Sequence, residues 1–155
     1  MPTIAELLGS SEPADRLFPG YAFWFQGNPP FESATEHCFF VLAVASNGNL
    51  LMVNATSKVE KTQSIISTLY RDFVEDPSLT LVLIEPGESS LLRIRSIVNC
   101  NEVHSVRPED INRGDSRFVA HESDNDLFRR FAIAVKASPN VSPDDCEVIC
   151  RQWNV

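Results

Sequence analysis

The chain has 155 residues, of which 43% are hydrophobic, and it carries a formal net charge of −8. This length and composition predict a single folded domain over residues 1–155 and exclude an intrinsically disordered chain. No apolar run approaches the roughly 20 residues needed to cross a bilayer. Because residues 1–9 lack the basic start and apolar core of a signal peptide, we expect a cytoplasmic protein with no membrane partner.

The acidic charge is unevenly distributed along the chain. Residues 1–55 hold one basic and five acidic side chains, and residues 99–155 hold seven and ten. Residues 56–98 hold five basic and six acidic side chains, so this segment is close to neutral. The overall charge disfavours nucleic-acid binding, since phosphate contacts supply most of its affinity. A local basic patch in the middle segment is still compatible with such binding.

The N-terminal part predicts one short helix, one aromatic strand and a hairpin. Residues 3–8 have the pattern of a short amphipathic helix, and residues 18–27 indicate a strand entered through a Pro-Gly turn. The hairpin has strands over 38–45 and 50–55. An Asn-Gly dipeptide between them favours a tight turn.

The middle of the chain predicts one helix and three strands. Apolar side chains recur at helical spacing over residues 58–74, and a continuous apolar run predicts a buried strand over 79–84. Residues 91–98 alternate as a strand does, and residues 101–106 predict a last short strand.

The C-terminal part predicts two helices. Residues 107–111 indicate a loop, and we expect the segment 113–126 to be mobile. Residues 127–137 have a helical pattern, and Ser142, followed by a proline, predicts the N-cap of a final helix.

Together these elements predict a mainly β, α+β fold. A small, strongly bent sheet or barrel is expected over about 17–112, with the helix 58–74 inserted into it. Two C-terminal helices over 126–153 are expected to cover the sheet. The chain contains no internal repeat and no glycine-rich phosphate loop.

Reactive side chains stand at corresponding ends of the two hairpin strands. His37 precedes the first strand, and Thr56, Ser57 and Lys58 follow the second. In an antiparallel hairpin the start of one strand lies beside the end of the next. An imidazole, two hydroxyls and an ammonium are therefore predicted to share one end of the sheet, where they form a plausible phosphate-handling site.

The four cysteines do not indicate a cofactor. Cys38 and Cys100 fall in or next to predicted strands, where a buried thiol behaves as a small hydrophobic group. Cys146 and Cys150 lie four residues apart on one predicted helix. No further ligand with metal-site spacing lies nearby, so a reduced, partly buried pair is favoured over half of a metal site.

Four segments, in order, resemble the MazF/PemK-like superfamily, and particularly a divergent branch with a strand-initial histidine. They are His37–Leu42, Leu51–Lys58, Leu81–Glu88 and Arg95–Val103. The resemblance extends over residues 35–152. Members are growth-inhibiting toxins of bacterial type II toxin–antitoxin modules, built on an SH3-like β-barrel. The resemblance therefore implies this barrel, an antitoxin partner and a homodimer.

The resemblance also implies an activity. Well-studied members cut single-stranded RNA without a metal: the ribose 2′-hydroxyl attacks the adjacent phosphate, and a 2′,3′-cyclic phosphate results. An arginine near the first long strand and a hydroxyl at the end of the next carry their site. Here Thr56 or Ser57 matches the hydroxyl, and His37 stands in about the place of the arginine. Ser96 matches a recurrent serine of the family.

Two arginines offer a replacement for the missing family arginine. Arg93 and Arg95 share one side of the predicted strand 91–98 and could supply a guanidinium to the phosphate. In the alternative interpretation, both arginines simply lie on the solvent-exposed face of an antiparallel sheet and have no functional role.

Each remaining candidate also has a structural interpretation. His37 fits a histidine that bonds a backbone carbonyl, and Ser57 fits the N-cap of the following helix, with Glu60 in capping-box spacing. Lys58 fits a solvated lysine, and Ser96 a core hydroxyl.

Other polar and aromatic side chains are assigned to the surface or the core. His104 and His121 are interpreted as surface residues. Four aromatic residues of the first strand could stack on bases, but core and edge packing is favoured for them. They are Tyr21, Phe23, Trp24 and Phe25.

The sequence therefore predicts a toxin that acts as a metal-independent endoribonuclease on single-stranded RNA. In this interpretation His37 is the general base or acid, Thr56 and Ser57 hold the phosphate, and Lys58 with Arg95 offsets charge in the transition state. Two other functions stay open: a non-catalytic SH3-like binding module, and a toxin that inhibits a protein target.

Overall fold

The fold was analysed in a computed structural model that describes residues 17–26, 35–113, 117–121 and 125–155. Within these ranges the chain forms seven strands, four α-helices and one 3₁₀ turn. The strands are β1 (Tyr21–Phe25), β2 (His37–Val44), β3 (Leu50–Thr56), β4 (Leu81–Ile84), β5 (Ser96–Asn99), β6 (His104–Val106) and β7 (Arg117–His121). The helices are α1 (Val59–Tyr70), α2 (Pro108–Arg113), α3 (Asn125–Ala137) and α4 (Pro143–Trp153), and the 3₁₀ turn is Pro77–Thr80.

The strands form one antiparallel sheet in the order β4-β5-β3-β2-β1-β7, and β6 also pairs with β3. The predicted β2–β3 hairpin is confirmed. At its turn Gly48 has a φ of +87°, a conformation that favours glycine, and its N–H donates to the Ala45 carbonyl over 2.9 Å. The α+β class with an antiparallel sheet is likewise confirmed.

One edge of β3 is shared by two strands. β6 pairs with its first half, over Leu50–Met52, and β5 pairs with its end at Ala55 and Thr56. Val53 and Asn54 lie between these two ladders. The sheet therefore forks at β3, and the side chain of Asn54 lies at the fork.

Apolar side chains cover both faces of the sheet, because strand residues alternate between them. The helix-side core lies between the sheet and helices α3 and α4. It includes Phe40, Leu51, Val98, Phe128 and Phe131. The opposite core includes Phe23, Phe25, Phe39, Met52 and Ile111.

The two C-terminal helices are attached to the sheet by aromatic contacts. The ring of Phe131 lies 4.9 Å from that of Phe40. Trp153 stacks on Phe128 at 4.9 Å, and its indole N–H donates to the Leu42 carbonyl over 2.7 Å. The Ser142 side chain accepts from the N–H of Asp145, which confirms the predicted N-cap. None of the described helices has the length and apolarity that a membrane span requires.

The predicted strand over residues 91–98 is wrong in its first half. Only Ser96–Asn99 pair as a strand, and residues 91–95 form a loop. Arg93 and Arg95 therefore do not share a strand face. The apolar and basic residues alternate in sequence but not in burial, because Ile94, which a strand would bury on the same side as Leu92, is 60% exposed.

Several element bounds also differ from the prediction. The helix predicted over 58–74 ends at Tyr70, β4 starts at Leu81 after the 3₁₀ turn, and β6 starts only at His104. The expected loop after residue 106 contains α2, and the segment expected to be mobile contains β7, which is held by backbone pairing with β1. The helix predicted over 3–8 lies outside the described residues.

Candidate functional site

A cavity of about 840 Å³ lies at the end of the sheet where β2 begins and β3 ends. The register that pairs Cys38 with Ala55 places His37 beside Thr56, as the hairpin prediction requires. Six of the seven site residues predicted from sequence line this cavity. They are His37, Thr56, Ser57, Lys58, Arg93 and Ser96.

The seventh predicted site residue, Arg95, lies outside the cavity lining. Its guanidinium forms ion pairs with Glu60 over 3.4 Å and with Glu85 over 3.3 Å. Its charge is thus offset by two carboxylates. Arg93 is exposed and is the arginine that lines the cavity.

The chain leaves β3 through a short turn that exposes Ser57 to the cavity. The Lys58 N–H donates to Thr56 Oγ1 over 3.3 Å, and helix α1 begins at Val59. Lys58 holds the N-cap position and makes no side-chain capping bond. The predicted capping box of Ser57 and Glu60 is therefore wrong, because Ser57 lies one residue too early and Glu60 instead pairs with Arg95.

The cavity lining carries more positive than negative charge. Within the described ranges, neither Lys58 nor Arg93 has a carboxylate within ion-pair distance, and both side chains are exposed. The carboxylate of the half-buried Glu36 also lines the cavity. Two cations face one anion here, although the whole chain carries −8. This lining suits an anionic ligand.

Apolar groups form the rest of the wall. Of the four aromatic residues of β1, Trp24 lines the cavity, and it is half-buried. Phe23 and Phe25 are fully buried in the opposite core, against which Tyr21 packs, so the predicted packing role is confirmed for these three. The buried Ser96 hydroxyl donates to the Ile94 carbonyl over 3.0 Å, in line with its structural interpretation.

His104 belongs to a second polar cluster on one face of the sheet, outside the lining of this cavity, and it lines a separate cavity of about 440 Å³. Its Nε2 lies 2.9 Å from Asn54 Oδ1, and its ring meets the edge of Phe39 with centroids 5.9 Å apart. The side chain is half-buried, so its assignment to the exposed surface was wrong. Alternation along β6 places His104 on the same face as the buried Val106, and this signal in the sequence could have identified it.

Burial lowers the pKa of His104, and the nearby His37 lowers it further. An imidazole with a lowered pKa is neutral at physiological pH and can accept a proton.

The backbone of His121 pairs with Tyr21 in the β1–β7 ladder.

The cysteines are free thiols, as predicted. Cys146 and Cys150 lie with their sulfur atoms 3.8 Å apart on α4. Burial, together with its contact with Cys146, raises the pKa of Cys150 to about 11. Burial also raises the pKa of Cys100. Both groups are protonated and unreactive at neutral pH.

No family model matches this chain, and neither a curated protein nor a solved structure matches it.

Proposed function

We propose that this protein is a metal-independent endoribonuclease that cuts single-stranded RNA and serves as the toxin of a toxin–antitoxin pair. The observation that carries the proposal is the cavity where an imidazole, two hydroxyls and two cations come together; among the described residues, neither cation has a carboxylate within ion-pair distance. Cleavage of RNA by its own 2′-hydroxyl needs proton transfer and stabilisation of a charged phosphorane, and these are the groups that supply both.

Each lining residue has a role in the proposed reaction. His37 transfers a proton to or from the reacting oxygens. Thr56 and Ser57 hold the phosphate oxygens through their hydroxyls and the backbone where β3 ends. Lys58 and Arg93 offset the charge that develops on the phosphate, and Arg93 takes over the role expected of Arg95, whose charge is offset elsewhere.

The apolar wall of the cavity supports a single-stranded substrate. Trp24, Leu91 and Ile94 line it, and Ile94 is exposed. Unpaired bases stack on such surfaces, at a gain of about 1–3 kcal/mol per base on an aromatic ring. A base next to the scissile phosphate would occupy this wall.

The proposal includes the SH3-like barrel, homodimer and antitoxin of the MazF/PemK-like superfamily. The order of the four resembling segments supports it, and so does the position of the cavity at the end of the hairpin formed by the first two of them. In such a barrel, the sheet from β4 to β7 would curve around the opposite core.

A second candidate function, inhibition or binding of a protein, is favoured by one surface. Ile65, Leu69 and Phe73 recur at helical spacing on and just after α1, and they are 51%, 57% and 72% exposed. Apolar side chains aligned in this way are typical of protein-binding surfaces. The same surface also suits an antitoxin.

The experiment that tests the proposal uses purified protein and a single-stranded RNA oligonucleotide, with and without a chelator. Wild type should yield a 2′,3′-cyclic phosphate in both conditions, and it should not cut an oligonucleotide with a 2′-deoxyribose at the scissile position. His37→Ala should abolish cleavage. Lys58→Ala should reduce cleavage about tenfold or more, by loss of a charge-assisted contact. Lys61→Ala is the matched control, because it removes the same charge from the exposed first turn of α1, outside the cavity lining.

A parallel induction in a bacterial host separates the candidate functions. Growth arrest with new RNA ends that His37→Ala removes would support the nuclease. Growth arrest without cleavage would favour a protein target reached through the α1 surface. An inert protein that binds RNA without cutting it would contradict the nuclease and favour the binding module.

A further inference from the structure

We propose that the α1 surface, formed by Ile65, Leu69 and Phe73, is a docking site for a basic amphipathic helix of another protein. This inference names the class of partner for the second candidate function, protein binding, and it stands whether or not the protein cuts RNA. Two observations carry it: an apolar row that borders a groove, and carboxylates beside that row.

Helix α1 has two apolar sides, and only one of them packs on the rest of the protein. Val59 and Ile66 are buried, and the helix contacts β5 and the 3₁₀ turn. Ile65, Leu69 and Phe73 follow one another at intervals of four residues, so they align along a second side, where each is more than half exposed. Apolar side chains aligned in water are stabilised when a partner covers them.

A groove of about 240 Å³ lies along this row, between α1 and the sheet. Ile65 and Leu69 line it from the helix, and Asn54 and Asn99 line it from the sheet. Its volume is below the roughly 300–1,000 Å³ of sites that enclose a small molecule. It suits single side chains that project from a partner. A helix presents its apolar side chains at the same four-residue spacing, so a helix matches both the row and the groove.

Exposed carboxylates lie beside the apolar row. Asp72 is three residues after Leu69, on the same side of the helical turn, and Glu75 follows closely in sequence. Glu102 lines the groove itself. All three are exposed, and none of them forms an ion pair among the described residues. Arg71 is two residues after Leu69 and therefore lies on a different side of the turn.

These charges select the occupant of the groove. Lysine or arginine side chains on the flanks of a partner helix would complement the carboxylates, and the net charge of −8 would attract such a partner from a distance. A second copy of this chain would instead bring like charges together at this surface. RNA and anionic lipid would be repelled for the same reason. A basic helix of another protein is therefore the occupant that the surface favours.

The test measures the binding of two labelled synthetic helical peptides by fluorescence anisotropy. Both peptides have leucine along one face. The other face carries lysine in the first peptide and glutamate in the second. Wild type should bind the lysine peptide, more tightly at low than at high salt, and it should bind the glutamate peptide about tenfold more weakly or worse.

Two pairs of variants locate the binding surface. Leu69→Ser should weaken binding of the lysine peptide about tenfold, because it removes a leucine from the apolar contact. Ile133→Ser, which changes a residue that is 55% exposed on α3, should leave binding unchanged. Asp72→Asn should weaken binding about threefold at low salt, whereas Asp144→Asn, which removes the same charge from the exposed side of α4, should not. Circular dichroism checks that each variant is folded.

Three results would overturn the inference. They are a failure of wild type to bind the lysine peptide, equal binding of that peptide by Leu69→Ser and Ile133→Ser, and equal affinity of wild type for the two peptides. Self-association in sedimentation that Leu69→Ser abolishes would also overturn it, since a second copy would then occupy the surface. RNA cleavage is measured separately: an active nuclease that does not bind the lysine peptide would contradict this inference alone, and an inactive protein that binds it would contradict the nuclease alone.

Discussion

Asn101 illustrates how one buried polar side chain can end a strand. Its amide nitrogen donates to Thr80 Oγ1 over 2.7 Å, and its Oδ1 accepts from Ser138 Oγ over 2.6 Å. These bonds join the 3₁₀ turn, the turn after β5 and the segment that follows α3. A buried amide is costly unless its polar atoms are bonded. The chain therefore turns at Asn101, and the strand predicted from residue 101 begins only at His104.

Single residues also explain which parts of the candidate site could be predicted. His37 and Thr56 belong to a hairpin with a short turn, so their proximity follows from local sequence. His104 reaches the same face through the β3–β6 ladder, and nothing in the local sequence specifies that pairing. Arg95 was expected to face the phosphate, but it pairs with Glu85, ten residues earlier, and with Glu60 on α1, 35 residues earlier, and the alternation of residues 91–98 indicates neither pairing.

The lowered pKa of His104 predicts a pH dependence of stability. Below about pH 6.5, the ordinary value for a histidine, the unfolded chain binds a proton at this position before the folded chain does. The free energy of unfolding should therefore fall as the pH drops from about 6.5 towards the lowered pKa of the folded state. Urea unfolding at pH 7.5 and at pH 5.5 measures this change in the free energy of unfolding.

His104→Gln is the variant for this measurement, because it lacks the titrating ring. Its stability should change less with pH than that of wild type, so the difference between the two proteins should shrink as the pH falls. The two proteins differ only at position 104, so the difference between their pH profiles reports the histidine at that position. Parallel pH profiles would show that His104 does not contribute.

At the scale of elements, the segment from Glu85 to Arg95 forms one wall of the cavity and is fastened at several points. Arg130 on α3 donates to Glu88 over 2.7 Å and to the Leu83 carbonyl over 2.6 Å. The Arg95–Glu85 ion pair joins the two ends of the segment. These side-chain contacts hold the wall in place without strand pairing. Residues 91–95 are therefore ordered as a loop, although their sequence pattern predicts a strand.

Removing Arg130 should loosen that wall. Arg130→Ala should lower the free energy of unfolding by about 1 kcal/mol, since bonds to charged groups contribute about 1.5–3 kcal/mol and the side chain is partly exposed. If the protein has the proposed nuclease activity, cleavage of RNA should fall as well, because Leu91 and Arg93 lose their support. Chemical denaturation and the oligonucleotide assay measure the two effects.

Arg129→Ala provides the matched control on the same helix. Arg129 is exposed, and it forms no ion pair within the described ranges. The two variants remove the same charge from neighbouring positions, so general electrostatic effects cancel. Equal behaviour of the two variants would contradict the role assigned to Arg130.

At the scale of the whole molecule, one sheet serves two cores. Strands β2 and β3 contribute to both, because alternate residues point to opposite faces. Element types were largely predictable from period and turn residues, as the hairpin, α1 and the two C-terminal helices show. The pairing of β7 with β1 and of β6 with β3 was not, since long-range register depends on contacts that no local pattern encodes.

The helix-side core predicts the largest effect of a single substitution. Phe131 is fully buried against Phe40 and Phe128, so Phe131→Ala should cost about 3–5 kcal/mol of stability. Ile133→Ala on the same helix should change stability little, because Ile133 is 55% exposed. Urea unfolding of both variants checks this. Similar losses would contradict the placement of α3 on the sheet.

The pairing of β1 with β7 has a consequence for the synthesis of the chain. Tyr21 pairs with His121, so one edge of the aromatic strand stays open until the ribosome has produced most of the protein. The β2–β3 hairpin needs only a short loop to close and can form much earlier. A nascent chain would thus expose the unpaired edge of β1, and such an edge can pair with strands of other chains and cause aggregation. We expect newly made protein to depend on chaperones until β7 has emerged.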